Sequence, residues 1–185
     1  LRALGGVADA LHHELRRQGL PIDVLLQGRS GKRALLERFL TPVDQRGAVL
    51  VGSQSFWEGI DVPGDALQCV LIDKLPFPPP SDPLAQARSR AIEAHGGQPF
   101  DDYFIPEAAV ALKQGAGRLI RSETDRGLLV ICDTRLLTMN YGRRLLGALP
   151  PMPMVGDEAA ALDWLATLGS SDEPVAAHRS DVPAG

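Results

Sequence analysis

Short aliphatic runs that alternate with helix-forming stretches restrict this chain to a narrow set of architectures. Pro21 to Leu26, Ala48 to Gly52, Leu67 to Ile72 and Leu128 to Cys132 read as strands. Leu4, Val7, Ala8, Leu11 and Leu15 recur at helical spacing, and Lys32 to Leu40, Leu84 to Ala94, Pro106 to Lys113 and Leu136 to Leu146 read as further helices. Strands separated by helices pair in parallel, because parallel neighbours need a long crossover and a helix supplies it. The expected fold class is therefore α/β, a parallel sheet with helices on both faces. Leu67 to Ile72 is apolar enough to be buried on both of its faces. The proline-dense stretch from Pro76 to Pro83 fits neither helix nor central strand, Gly96-Gly97 marks a helix stop, and Pro106 suits a first helical turn.

The pattern divides the chain into a folded domain over 1–150 and a tail over 151–185. Beyond Pro150 come Pro151 and Pro153, one amphipathic stretch from Glu158 to Leu168, and then Gly169 to Gly185, whose composition predicts disorder. Of 19 bases and 23 acids, one base and six acids fall in the tail, which leaves 18 bases and 17 acids in residues 1–150. A near-neutral body excludes a nucleic-acid binder that works by bulk charge, so any such contact must use local groups on one face. No run approaches the ~18 apolar residues that span a bilayer, and no signal-peptide pattern is present. Cys69 and Cys132 each lie in an apolar run, form no Cys-x-x-Cys pair, and read as small buried packing in a reducing compartment, so the expected location is the cytoplasm and no metal site is expected. The histidines (His12, His13, His95, His178) show no ligand or triad spacing and belong on surface or helix positions. The first residue is not methionine and the opening residues read as a helix already under way, so a piece of a longer protein is expected.

Two segments carry chemistry. Gln114-Gly-Ala-Gly-Arg-Leu-Ile-Arg121 follows a helical run, and Arg118 and Arg121 share a face if the backbone stays helical. Paired guanidinium forks between glycines such as Gly117 suit a polyanion, since each fork holds two phosphate oxygens and glycine permits close backbone approach. A solvated arginine pair at a helix end, stabilised by the helix dipole, is the plain alternative. Ser53-Gln-Ser-Phe-Trp-Glu-Gly-Ile-Asp-Val-Pro-Gly64 leaves the strand at 48–52, and open α/β sheets place ligand sites just beyond such strand ends. Here Glu58 or Asp61 can accept a ribose hydroxyl or orient an arginine, and Gly59 permits a tight turn. Phe56 and Trp57 read as core anchors.

These segments resemble motifs V and VI of superfamily 2 helicases in the form seen in the DinG/XPD group. Leu71-Ile-Asp-Lys-Leu-Pro-Phe77, Ser81-Asp-Pro-Leu84, Val130-Ile-Cys-Asp-Thr-Arg135 and Tyr141-Gly142 also match the bacterial DinG-like pattern, in order, over roughly 1–150. The resemblance implies a RecA-like second motor domain, with the strand of motif IV lying upstream, that closes over ATP and Mg2+ held mainly by a first RecA-like domain of the same protein. It implies Arg121, with Arg118 beside it, as an arginine finger, Gln114 positioning those groups or the attacking water, and Asp61 at the ribose or linked to Arg118. Ser53 and Ser55 would hold phosphates of single-stranded DNA. The group moves 5′ to 3′ on DNA and unwinds it, and its members often carry an iron–sulfur cluster in the first motor domain.

One apparent phosphate cradle fails. Gln27-Gly-Arg-Ser-Gly-Lys-Arg33 follows a strand and opens a helix, but a P-loop needs four residues between its glycines and a hydroxyl after the lysine. Only two intervene here and Arg33 takes the hydroxyl position, so a solvated turn is expected. Without a cradle or magnesium-binding acids the chain alone should not hydrolyse ATP. The competing class is a non-catalytic RecA-like regulatory module that binds DNA or protein.

Overall fold

The structure, a computed structural model, describes residues 2–41, 44, 46–57, 62, 66–120 and 125–168. It comprises two compact units, Leu1–Ala66 and Leu67–Gly185. Both are built from parallel strands joined by helices, the α/β organisation expected of a RecA-like domain. The disorder expected of Gly169 to Gly185, and the position of His178, fall outside the described residues.

In the first unit, α1 (Arg2–Arg17) leads into β1 (Ile22–Leu26), α2 (Lys32–Leu40), β2 (Gly47–Val51) and the single turn α3 (Gln54–Trp57). Strands β1 and β2 pair in parallel with Ile22 opposite Gly47 and Leu26 opposite Val51, and α2 is the crossover that parallel pairing demands. Ala8 of α1, Leu25 of β1, Leu35 of α2 and Phe56 of α3 are buried and form the centre of this core. The helical spacing of α1 and the bounds of α2 follow the apolar pattern. The 27–33 stretch is a turn, with Gly28 at φ +91° and residues 28–33 exposed, as a solvated loop should be.

The second unit runs β3 (Cys69–Ile72), α4 (Pro83–Ala94), a π-helical turn over Phe100–Phe104, α5 (Ile105–Leu119), β4 (Leu128–Ile131), α6 (Arg135–Thr138), α7 (Gly142–Ala148) and α8 (Glu158–Leu168). Strands β3 and β4 pair in parallel with Cys69 opposite Leu128 and Ile72 opposite Ile131. Helix α5 packs on both strands and buries Ile105, Ala108, Ala111, Leu112, Gly115, Ala116 and Leu119, a stripe at three- and four-residue spacing. The π-helical turn has a local cause. Pro106 has no N–H to donate backward, so the ladder ahead of it shifts and the Ile105 N–H reaches the Phe100 carbonyl five residues back.

Several sequence expectations are corrected here. Leu136 to Leu146 is not one helix but two, because the Met139 backbone is extended (φ −102°, ψ 147°) and the chain re-enters α7 at Gly142. The break lets the Tyr141 ring meet Phe77 and Phe100 edge-on, with centroids 5.6 and 5.3 Å apart. Leu71 in β3, expected inside, is 63% exposed, while Ile72 beside it is buried. Cys132 is exposed rather than packed, since β4 ends one residue before it, whereas Cys69 is half-buried and burial pushes its thiol pKa up. His12, His13 and His95 are exposed. No helix among the described residues is long and apolar enough to cross a membrane.

Candidate functional site

In the first unit, the polar groups converge where the parallel strands end. The Gln27 N–H donates to the Val51 carbonyl (2.9 Å), which extends the β1–β2 ladder by one rung. That rung fixes the Gln27 backbone, and its side-chain Oε1 then accepts from both the backbone N–H (2.7 Å) and the hydroxyl (3.0 Å) of Ser53. The Ser53 hydroxyl in turn lies 3.0 Å from that of Ser55. Gly52 makes this approach possible: a Cβ there would sit 3.0 Å from Phe56 Cβ and 3.2 Å from Gln27 Oε1. Phe56 is buried, as expected of a core anchor, with Lys32 Nζ 5.5 Å from its ring centroid. Ser53 and Ser55 stay exposed. The result is an exposed pair of oriented hydroxyls at the carboxyl end of a parallel pair, the place where α/β sheets bind ligands. The sequence reading missed Gln27, which it met only as the first residue of a failed P-loop. Its signal was positional, since the β1–β2 register sets Gln27 beside the Gly52-Ser53 exit.

Glu58, Gly59 and Asp61, assigned to nucleotide contact, lie outside the described residues, as does the side chain of Trp57. So does Arg121.

In the second unit, α5 continues through the sequence Gln114-Gly-Ala-Gly-Arg118 instead of stopping before it. Gln114 is exposed and Arg118 is half-buried in the last turn, with its Nε buried. A guanidinium in the last turn of a helix is favoured by the helix dipole. Ile120 then leaves the helix, its backbone extended at φ −121°, ψ 113° and its N–H bonded to the Ala116 carbonyl at 3.2 Å. The helix that carries Arg118 therefore ends at Leu119, and the placement of Arg121 relative to Arg118 lies outside the described residues. The two neighbouring glycines differ in kind. Gly115 is buried in the helix interface, but a Cβ on Gly117 would meet nothing within 4 Å. A glycine inside a helix costs about 1 kcal/mol relative to alanine, and no neighbour within 4 Å of a Cβ at Gly117 requires it.

The carboxyl ends of β3 and β4 are joined by Asp133, which the sequence reading placed in a motif without a role. Its carboxylate accepts from the Leu75 N–H (3.0 Å), the Arg135 N–H (3.1 Å) and the Arg135 guanidinium at Nε (2.9 Å) and Nη2 (2.6 Å). The Arg135 side-chain hydrogen bonds, with the Leu75 N–H assisting, hold this carboxyl well below the usual aspartate range. The same guanidinium lies 5.7 Å from the Phe77 ring centroid, so one ion pair sets the path of the proline-dense connection. The Asp133 side chain is 8% exposed, and Asp133→Ala should destabilise the domain by about 1–3 kcal/mol through the stranded Leu75 N–H and Arg135. Because the folded pKa is depressed, this stabilisation is full above the ordinary aspartate pKa and is lost as pH falls below it. The gap in urea midpoint between wild type and variant should hold steady at neutral pH and narrow below about pH 4; a gap that widens in acid would contradict the assignment.

Among the described residues no three His, Cys, Asp or Glu side chains converge to hold a metal ion.

Residues 1–152 match the family described as a helicase C-terminal domain. The chain is 50% identical over 150 residues to the ATP-dependent DNA helicase YoaA of Escherichia coli (strain K12), covering 81% of this chain and 23% of that protein. It is 51% identical over 152 residues to the YoaA of Haemophilus influenzae, covering 82% of this chain and 23% of that one. It is also 44% identical over 138 residues to the ATP-dependent helicase DinG of Mycobacterium tuberculosis, covering 75% of this chain and 20% of that protein. The chain spans about a fifth to a quarter of the length of these curated relatives.

Proposed function

The chain belongs to the helicase C-terminal domain family, in its DinG- and YoaA-like branch, and from that membership we propose that it is the second motor domain of an ATP-dependent DNA helicase. ATP and its magnesium are held mainly by a first RecA-like domain of the same protein. This chain supplies Arg121 to the γ-phosphate, with Arg118 beside it, Gln114 orienting the attacking water, and Gly117 letting the phosphates approach the α5 backbone. Glu58 and Asp61, turned by Gly59, contact the ribose or link nucleotide state to Arg118. Closure is favoured while the arginines have a γ-phosphate to hold; hydrolysis removes that differential contact and the cleft reopens. Alternating grip on single-stranded DNA converts opening and closing into translocation and unwinding. Lacking a phosphate cradle, the isolated domain is expected to show no ATP turnover.

The observation that carries the DNA-gripping half of this reading is the Gln27–Ser53–Ser55 chain of hydrogen bonds at the exposed strand ends. Hydroxyls fixed in this way bind phosphate oxygens without reading sequence, as a translocating motor requires. In the complete protein, Gln27→Ala should weaken binding of a labelled single-stranded oligonucleotide by up to about tenfold, the worth of one or two oriented hydrogen bonds. Fluorescence anisotropy measures it. If Gln27→Ala and Ser53→Ala both bind as wild type does, the strand does not pass over this end of the sheet.

A further inference from the structure

The second unit carries a row of aromatic rings that is only partly drawn into its core. The Phe77 and Phe100 rings stack with centroids 5.6 Å apart and planes 28° apart, and Phe104 continues the row from Phe100 at 6.5 Å and 27°. Near-parallel, offset stacking is a favoured geometry for flat π-systems. The Arg135 guanidinium lies 5.7 Å from the Phe77 centroid and adds a cation–π contact to the row. Tyr141 meets Phe77 and Phe100 edge-on and is buried, so a ring that solvent does not reach braces them. Phe100 nonetheless stays 46% exposed, whereas Tyr103 of the same π-helical turn is buried. The row stands at the carboxyl ends of β3 and β4. Phe77 follows β3 by five residues, and Asp133, two residues beyond β4, holds both the Leu75 N–H and Arg135. That is the end at which α/β sheets bind ligands.

The charged groups beside the row are committed close at hand. Arg135 is paired with Asp133, Arg144 with Asp101 at 2.7 Å, and the Asp102 carboxylate accepts from the Gln98 N–H at 2.7 Å. Arginines matched to acids in this way offer little net attraction to a phosphate. The surface suits a ligand that is flat and uncharged, and single-stranded DNA presents such groups as its unstacked bases. Every base has a π-face, so stacking on an aromatic side chain tolerates any sequence, as a translocating motor requires. Resting on the reading of this chain as a DNA motor domain, we propose that Phe100, backed by Phe77 and Tyr141, is a stacking site for a base of single-stranded DNA. It complements the Ser53 and Ser55 hydroxyls, which take phosphates.

The test is binding by the complete protein of two labelled oligonucleotides of equal length, oligothymidylate and an abasic strand that keeps the phosphates but has no bases. Phe100→Leu keeps apolar volume and removes the aromatic face. It should weaken oligothymidylate binding about tenfold, within the range that base–aromatic stacking supplies, and leave binding of the abasic strand within about twofold. The slope of log Kd against log salt should not change, because no phosphate contact is lost. Phe100→Tyr, which retains the face, should bind both strands within about twofold of wild type. Ser53→Ala, by contrast, should weaken both strands alike. Wild-type affinity of Phe100→Leu for oligothymidylate, with Ser53→Ala weakened, overturns the inference and leaves the phosphate grip standing. Loss of DNA-stimulated ATP hydrolysis at saturating DNA in a Phe100→Leu variant that binds oligothymidylate normally overturns it too, and assigns the row to contact with another protein surface. An equal loss on both strands, or a Tyr variant as impaired as the Leu variant, also overturns it, since the ring would then be supporting the fold and not a base. Failure of the wild-type protein to bind either strand overturns the motor reading, and this inference with it.

Discussion

Arg121→Ala in the complete protein is expected to lower DNA-stimulated ATP hydrolysis by about 10³–10⁵-fold, the range that arginine fingers supply. The loss should fall on kcat with little change in KM, because the guanidinium meets charge that develops on the transferring phosphoryl group and matters less to bound ATP. Binding of single-stranded DNA should survive, since the hydroxyls proposed to grip it lie on the β2–α3 exit and not on the α5–β4 connection. Arg121→Lys should rescue poorly, because an ammonium cannot present two parallel donors to phosphate oxygens. Arg118→Ala is a less clean experiment. Arg118 is half-buried in the last turn of α5, so part of its effect will be on stability, and a melting curve must accompany the kinetics. Wild-type turnover in Arg121→Ala would remove the finger from the proposal.

The largest effect on stability is expected at Gly142. A Cβ there would overlap the backbone carbonyl oxygen of Leu136, and no side-chain rotamer can relieve a clash with main chain. Relief requires α6 and α7 to separate, which disturbs Leu136, Tyr141 and Leu145, all buried, and the edge-on contacts of Tyr141 with Phe77 and Phe100. Gly142→Ala should therefore destabilise the domain by about 2–4 kcal/mol, toward the upper end for overpacked sites. Gly117→Ala is the matched contrast. It has open space around its Cβ, and helix propensity alone should make the variant neutral or more stable by up to about 1 kcal/mol. Urea midpoints of the two variants against wild type decide the matter, and equal midpoints for Gly142→Ala and Gly117→Ala would show that the α6–α7 junction is not as tight as drawn.

The sequence was most legible where a single short-range rule acts. Helix α2 begins and ends where the pattern puts it, β1, β2 and β4 differ from expectation by a residue or so, and Pro106 does fall in the first turn of α5. The motif-bearing segments were visible for the same reason, as runs of residues whose order carries their chemistry. Gln27 was not visible in that way, because its role depends on the partner strand, with Ser53 lying 26 residues away in sequence.

What the sequence determined by itself is the α/β class, the parallel pairing and the helicase lineage, since periodicity, crossover length and motif order are all written along the chain. The tertiary structure decided the rest. It ended α5 at Leu119 and turned Ile120 out of the helix. It split the helix at Met139 so that Tyr141 could reach Phe77 and Phe100, and it left Cys132 in solvent. Each of these depends on which groups meet across the fold, where contacts between distant residues outweigh the few tenths of a kilocalorie by which local propensities differ.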